Sequence, residues 1–156
     1  MKRVKKYLFP FFTVLWLLFI FSNSLDNAGA SGAKSGRVVK LVAAFFERVF
    51  AYQPDTAYLT VIVRKLAHFS EFAVFALLLS FSFYALCRTL QNKAFSVLFC
   101  GLFAAVTDEF LQTFSAGRAP MVTDVLIDFA GVMTGFGIAY LVSFVLHKRS
   151  KHSRRA

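Results

Sequence analysis

Four long apolar runs constrain this chain more than any other feature of its sequence. They cover residues 8–22, 66–87, about 94–114 and about 122–146, and a helix that crosses a bilayer needs about 20 mostly apolar residues. We therefore predict an all-α integral membrane protein, a single domain over residues 1–156 that is built as a bundle of four transmembrane helices.

The composition supports this class and excludes several others. Hydrophobic residues make up 58% of the chain and charged residues 17%, whereas a soluble domain has about 45–50% and about 25%. The 8 glycines and 3 prolines are too few for a disordered or collagen-like chain, and the 2 cysteines lack the C-x-x-C spacing of a thiolate zinc site. Because the net charge of +10 lies mainly at the ends of the apolar runs, we expect no nucleic-acid partner.

The distribution of lysine and arginine predicts the orientation, because cytoplasmic flanks of membrane spans carry an excess of these residues. Basic residues crowd the first six positions and the tail at 147–156, and the loop after the second run holds Arg88 and Lys93. The loop after the third run has only Arg118. We expect a multi-pass protein of the cell membrane with both termini in the cytoplasm, although the long first loop is itself basic.

The first run has a second interpretation. A basic start, a short apolar stretch and the small residues at 28–30 also resemble a secretory signal with its cleavage site. Trp16 and the bulky aromatic residues of the run argue against cleavage. We expect a retained span, and the rest of the topology is the same under either interpretation.

The loop between the first two runs contains a pattern of its own. Residues 28–36 are rich in glycine, serine and alanine, which predicts a flexible turn. Residues 38–52 repeat apolar side chains at helical spacing, which predicts an extra amphipathic helix in this long external loop. Such a helix fits either the outer membrane surface or a position packed against the spans.

Acidic residues are concentrated in the apolar runs. Five of the 8 lie in these runs or at their mouths: Glu71, Asp108, Glu109, Asp124 and Asp128. A charged side chain at mid-membrane costs at least about 2.5 kcal/mol, so random scatter does not explain this pattern. In the predicted topology, the acidic parts of the second, third and fourth spans lie at one level near the external face, within the first or last two turns of each span.

Helical spacing also puts the polar groups on shared faces. Arg64, His68 and Glu71 follow an i, i+4, i+7 pattern, and Asp108 and Gln112 are four residues apart. We therefore predict a polar crevice that three spans share. Its candidate binding residues are Arg64, His68, Glu71, Asp108, Glu109, Gln112, Arg118, Asp124 and Asp128.

Close helix packing is predicted beneath this crevice. Gly131 and Gly135 form a G-x-x-x-G pair in the fourth run, a spacing that lets two membrane helices approach closely. Ala104 and Ala105 of the third run would supply the small surface opposite these glycines.

The polar cluster has three interpretations. It can be a structural network in which Arg64, Lys65 and Arg118 pair the acids and fix the register of the bundle. It can bind a ligand, since ionisable groups inside membrane spans are functional candidates by default. It can also be an acid–base catalyst. The candidate catalytic residues under that third interpretation are Glu71, His68 and Asp108.

From the sequence we expect no cofactor and no metal ion. His68 with Glu71, Asp108 or Asp124 has the donor types that bind a divalent ion. However, His-x-x-Glu spacing is common by chance and does not identify a metal site.

Three ordered segments resemble the VanZ-like family. They are residues 64–72, which contain a basic-x-x-His-Phe-x-Glu-aromatic pattern; residues 108–114, with an Asp-Glu-x-x-Gln-x-Phe pattern; and Gly117-Arg118 followed by Asp124 and Gly131. The first run also resembles the first span of that family, so the resemblance covers nearly the whole chain. Two positions depart from the family pattern, since Ala116 stands where proline is frequent and Asp128 where asparagine is frequent.

The resemblance implies a bacterial inner or cytoplasmic membrane protein. The name-giving member of the family is associated with low-level resistance to teicoplanin, a lipoglycopeptide that acts at the outer membrane face. The resemblance therefore supplies a phenotype and no reaction.

We expect a VanZ-like protein that lowers glycopeptide susceptibility through an outer-facing crevice that engages a membrane lipid or a lipid-linked envelope molecule. Arg118 and Arg64 would hold an anionic group. One alternative is a membrane hydrolase or transferase that acts on an envelope lipid, and another is a structural partner in a membrane complex. The oligomeric state is left open.

Overall fold

The computed structural model describes residues 2–87 and 93–153, and the regular structure within these two ranges is entirely helical. The helices are α1 (Lys2–Ser24), α2 (Ala28–Phe50), α3 (Thr56–Cys87), α4 (Ala94–Gln112) and α5 (Val122–Ser153). All except α2 are long and apolar enough to cross a membrane. The predicted all-α bundle of four spans with one additional helix is confirmed. Three basic residues used to predict the orientation lie outside the described residues: Arg88, Arg154 and Arg155.

Helix α3 is the centre of the bundle and packs against each of the other four helices. The buried core around it joins side chains from α1, α3, α4 and α5. Its members are Ile20, Phe72, Phe75, Ala76, Ala104, Ala105 and Val132. On the outside, large apolar side chains are widely exposed, such as Phe95 at 80% and Leu141 at 63%. Faces of this kind suit hydrocarbon rather than water.

Helix α5 lies against the backbone of α3 at two glycines. A Cβ added at Gly131 would overlap the carbonyl oxygen of Phe69, and one added at Gly135 would overlap the carbonyl oxygen of Ala73. Because a side chain at either position would push the helices apart, the predicted close packing at this G-x-x-x-G pair is confirmed.

The predicted partner of these glycines was wrong. Ala104 and Ala105 belong to α4 and lie in the core cluster, whereas the glycines contact α3. Helix α4 meets a different side of α5, where a Cβ at Gly101 would overlap the side chain of Val132. The spacing of small residues identified the close-packed face of α5 but not the helix opposite it.

The second span begins about ten residues earlier than predicted. Helix α3 starts at Thr56 rather than at residue 66, because Arg64 and Lys65 interrupt the apolar run but are good helix formers. Glu71 therefore lies 15 residues after the first residue of α3, roughly 22 Å along the helix axis, and not within its first two turns. The predicted third span also ends early, since α4 stops at Gln112.

Helix α2 includes the segment 28–36, so the prediction of a flexible turn there was wrong. The carbonyl oxygen of Asn27 accepts a hydrogen bond from the backbone N–H of Ser31 at 3.0 Å, as expected at a helix start. Alanines at several positions of this segment favour the helix against the unfavourable propensity of the glycines.

One side of α2 faces the bundle. Ser31 and Ser35 are half-buried and Val39 is buried, a four-residue repeat that puts the three side chains on one helix face. Helix α2 packs against α3, while Leu41 on the other side is 73% exposed. The sequence left two positions open for this helix, on the outer membrane surface or packed against the spans. In the structure it packs against a span, α3.

The contact between α5 and α3 predicts that alanine substitutions at two nearby glycines of α5 have different effects on stability. Gly135→Ala should destabilise the protein by about 1–3 kcal/mol, because the methyl group has no room against the α3 backbone. Gly137→Ala is the matched control, since a Cβ there meets nothing within 4 Å. Thermal unfolding of the two variants in detergent measures the difference, and equal midpoints would contradict the packing described here.

Candidate functional site

Two adjoining hollows form where α3 meets the loop between α4 and α5. Arg64, His68 and Arg118 line both of them. The larger hollow, the α5 crevice, has a volume of about 210 Å³ and is also lined by Asp124 and Asp128. The smaller one, the α2 crevice, has a volume of about 100 Å³. Its further polar lining residues are Asn23, Asp26, Ser31, Ser35 and Glu71. Six of the nine predicted site residues therefore line these crevices.

Asp108 is one of the other three predicted residues and is fully buried behind the crevices. The hydroxyl of Ser24 donates a hydrogen bond to its Oδ1 at 2.6 Å, and the amide of Gln112 donates one to its Oδ2 at 3.2 Å. The carbonyl oxygen of Ser24 in turn accepts hydrogen bonds from Ser115 Oγ at 2.8 Å and from Arg118 Nη1 at 3.4 Å. The end of α1 is thus joined both to α4 and to the loop that follows it.

Glu109 and Gln112 have structural partners as well. The carboxylate of Glu109 accepts hydrogen bonds from Gln112 Nε2 and from the backbone N–H of Met121, both at 2.8 Å. The side-chain oxygen of Gln112 accepts one from Arg64 Nη2 at 3.3 Å. Because Glu109 holds the backbone at the start of α5, we assign it to the support of the site rather than to its ligand-facing surface.

Glu71 connects α3 to α1. Its carboxylate accepts a hydrogen bond from Asn23 Nδ2 at 3.2 Å, and its backbone carbonyl accepts one from the indole N–H of Trp16 at 2.9 Å. The ring of Trp16 also packs against the core cluster.

Lys65 and Asp124 form an ion pair at the entrance of the α5 crevice. The Nζ–Oδ1 distance is 2.6 Å, and the two side chains are 36% and 18% exposed. Lys65 is thus the partner of Asp124, as the network interpretation of the cluster predicted for the acids in general.

His68 and Asp128 have a different environment. His68 Nδ1 lies 3.9 Å from Asp108 Oδ2 and 3.9 Å from Asp128 Oδ1, which is too far for a hydrogen bond in either case. Asp128 is fully buried, and neither of its carboxylate oxygens has a hydrogen-bond partner among the described residues. The same is true of His68 Nδ1 and of Arg118 Nε. Partly unsatisfied groups are therefore concentrated beside the crevices.

The contribution of α1 to the site was not predicted. Asn23 and Ser24 of α1 donate hydrogen bonds to Glu71 and Asp108, and Ser115, on the loop between α4 and α5, donates one to the carbonyl oxygen of Ser24. The available signal was the polar stretch at 22–24, which ends the first apolar run. Neutral polar side chains at the end of a span cost little free energy in any topology, so their presence there does not indicate a site.

Comparison with protein families identifies the chain. The model of the VanZ/LLP1 family matches residues 9–143 of the 156. The chain belongs to the VanZ/LLP1 family. The match includes all nine predicted site residues and most of the four spans, so the resemblance seen in the sequence is confirmed. No curated protein and no solved structure matches the chain.

The buried Ser24–Asp108 hydrogen bond predicts that Ser24 stabilises the VanZ/LLP1 fold. Ser24→Ala should lower the free energy of unfolding by about 1.5–3 kcal/mol, because a hydrogen bond to a buried carboxylate is lost. Ser22→Ala on the same helix is the control, since the hydroxyl of Ser22 is exposed and bonds only a backbone carbonyl. Unfolding in detergent measures both, and an equal effect would argue against a supporting role for α1.

Proposed function

We propose that this VanZ/LLP1 protein binds the anionic headgroup of a membrane lipid or lipid-linked envelope molecule in its two crevices, and so lowers susceptibility to teicoplanin-type glycopeptides. The observation that carries the proposal is the position of two arginines. Arg64 and Arg118 line both crevices, and guanidinium groups bind phosphate and carboxylate groups in a bidentate manner.

The electrostatics of Arg118 support an anionic ligand. Burial, followed by the charge of the nearby Arg64, lowers the pKa of its guanidinium, although an arginine remains protonated at neutral pH. Among the described residues its Nε has no hydrogen-bond partner, and its Nη1 donates a long bond to a neutral carbonyl oxygen. A bound phosphate or carboxylate would reduce the repulsion between the two cations and accept the free N–H.

The size and lining of the α5 crevice favour a headgroup as the ligand. A volume of about 210 Å³ is below the roughly 300–1,000 Å³ of sites that enclose a drug-sized molecule, so a whole glycopeptide antibiotic does not fit. Val61, Met121 and Ile127 add apolar surface beside the arginines. A charged group attached to an apolar chain matches this combination.

We also propose that the protein lies in the inner membrane with both termini in the cytoplasm. In this orientation the crevices lie at the external face of the membrane. The support is the positive charge at both ends of the chain, together with four helices that can each cross the membrane. Glycopeptides act at the external face, which is where this orientation puts the crevices.

This orientation predicts how two single cysteines react. In a background with Cys87→Ser and Cys100→Ser, a membrane-impermeant maleimide added to intact cells should label Ala116→Cys, which lies after α4. It should not label Lys93→Cys, which lies directly before α4. Labelling of permeabilised cells is the control for reactivity at both positions. The reverse pattern in intact cells would overturn the proposed orientation.

The proposed function predicts that antibiotic protection depends on Arg118 but not on Arg48. Expression of the chain in a sensitive host should raise the inhibitory concentration of teicoplanin, and Arg118→Gln or Glu71→Gln should remove most of that protection at matched membrane levels. Arg48→Gln is the charge-matched control, because Arg48 is exposed on α2, away from both crevices. Vancomycin tested in parallel shows whether the effect extends to glycopeptides without a lipid chain.

Equal protection by wild type, Arg118→Gln and Glu71→Gln would contradict the proposed site. Absence of protection by the wild type would contradict the proposed role in glycopeptide susceptibility. Binding of vesicles with anionic rather than zwitterionic lipid headgroups by the purified protein tests the ligand separately from the phenotype.

An enzymatic function is the second candidate, favoured by the position of His68 on both crevices beside the two arginines. In that case His68 would transfer a proton to or from a lipid-linked substrate that the guanidinium groups hold. Asp108 would lie on the buried side of the imidazole, 3.9 Å from its Nδ1. Release of phosphate or of a headgroup from an envelope lipid by the purified protein distinguishes turnover from binding.

A further inference from the structure

We propose that His68, Asp108 and Asp128 form a binding site for one divalent transition-metal ion of the type of Mn²⁺ or Zn²⁺. Each residue belongs to a different helix, α3, α4 and α5 respectively. One ligand atom from each residue lies within 4.8 Å of the others. The inference goes beyond the proposed function, and the ion site itself does not depend on that function.

The distances suit a shared ion. His68 Nδ1 is 3.9 Å from a carboxylate oxygen of Asp108 and 3.9 Å from one of Asp128. Imidazole nitrogen and carboxylate oxygen each bind Zn²⁺ at about 2.0–2.2 Å, so two ligands of the same ion lie at most about 4.2 Å apart. The two His–Asp distances fall inside this limit, and both exceed the length of a direct hydrogen bond.

The burial of Asp128 without a hydrogen-bond partner among the described residues is a second, independent observation that indicates a ligand. Its side chain is fully buried, and both of its oxygens lack a hydrogen-bond partner in the described part of the chain. The buried Nδ1 of His68 also lacks one, and it lies 3.9 Å from Asp128 Oδ1. Buried ionisable groups are normally paired, hydrogen-bonded or bound to a metal, and a cation between these atoms would satisfy all three.

The charge around the crevices favours a cation as well. Within the described ranges, four carboxyl groups line the crevices: Asp26, Glu71, Asp124 and Asp128. Two more lie directly behind them, since Asp108 Oδ2 is 3.9 Å from His68 Nδ1 and Glu109 accepts a hydrogen bond from the backbone N–H of Met121. The permanently charged basic side chains that the structure describes on the crevice surfaces are Arg64, Lys65 and Arg118. A dication would offset most of this excess of three acids.

The donor set indicates the type of ion. Mg²⁺ and Ca²⁺ prefer ligand sets made only of oxygen, whereas imidazole together with carboxylates suits Mn²⁺, Fe²⁺ or Zn²⁺. His68 and Asp128 both line the α5 crevice, so the open coordination positions of the ion would face the space beside Arg64 and Arg118. If the proposed function is correct, the ion and the arginines would bind the same anionic headgroup.

The test uses the purified full-length protein in detergent with Mn²⁺ alone. Titration followed by electron paramagnetic resonance should give one bound ion per chain, and pulsed measurements should show the coupling of a histidine nitrogen to the ion. His68→Gln should remove that coupling. Asp128→Asn should weaken Mn²⁺ binding at least tenfold, while Asp55→Asn, an acid outside both crevices, should leave it unchanged. Competition by Zn²⁺ checks that both ions use one site.

Thermal unfolding provides a control for folding. Asp128→Asn removes an unpartnered buried carboxylate, so it should fold without metal, and Mn²⁺ should raise the unfolding temperature of the wild type but not of this variant. Absence of stoichiometric Mn²⁺ and Zn²⁺ binding by the wild type overturns the inference, as does wild-type affinity in Asp128→Asn. Metal binding without any antibiotic protection would instead contradict only the proposed function, and protection without metal binding only the ion site.

Discussion

Buried carboxylates that hydrocarbon cannot solvate determine how this bundle is assembled. In a lipid bilayer every polar group has to find its partners within the protein, and Asp108 and Glu109 lie in α4 with almost no exposure. Asp108 receives its hydrogen bonds from the end of α1 and from its own helix, and Glu109 receives one from the backbone at the start of α5. Satisfying these two acids therefore fixes the relative positions of three helices. Part of the polar cluster is a register-setting network, and this network supports the polar groups that line the crevices.

The close approach of α5 to α3 brings the remaining groups together. Gly131 touches the backbone of Phe69, the residue directly after His68, and Asp128 lies one helical turn before Gly131. A larger residue at Gly131 would separate the helices and increase the distance of 3.9 Å between His68 and Asp128. The packing of α5 against α3 and the proximity of His68 to Asp128 thus both depend on the absence of a side chain at Gly131. This dependence explains why the polar side chains of the bundle lie next to the close contact between α3 and α5.

The sequence predicted the four spans and indicated nine candidate site residues because a charge in an apolar run is costly and therefore informative. It did not predict the partners of those residues. Ser24 is neutral and stands at the end of a span, so its hydrogen bond to Asp108 had no compositional signal. The start of α3 was placed too late for a related reason, since hydropathy does not register that Lys65 is paired with Asp124 inside the protein. The extent of α2 was missed because packing against α3 stabilises a glycine-containing segment that is a weak helix former alone.

The charge balance of the crevices limits which ligands are physically reasonable. An anion held by Arg64 and Arg118 would also meet Asp124 and Asp128 on the wall of the same crevice, and like charges in a medium of low dielectric constant repel strongly. Lys65 neutralises Asp124 through its ion pair, which leaves Asp128 as the acid that opposes an anionic headgroup among the described residues of the α5 crevice. A proton or a cation at Asp128 removes that opposition. Under the two proposals, affinity for an anionic headgroup would depend on what occupies the position between His68 and Asp128. Ligand binding and occupation of that position would then be coupled by electrostatics, and each would strengthen the other.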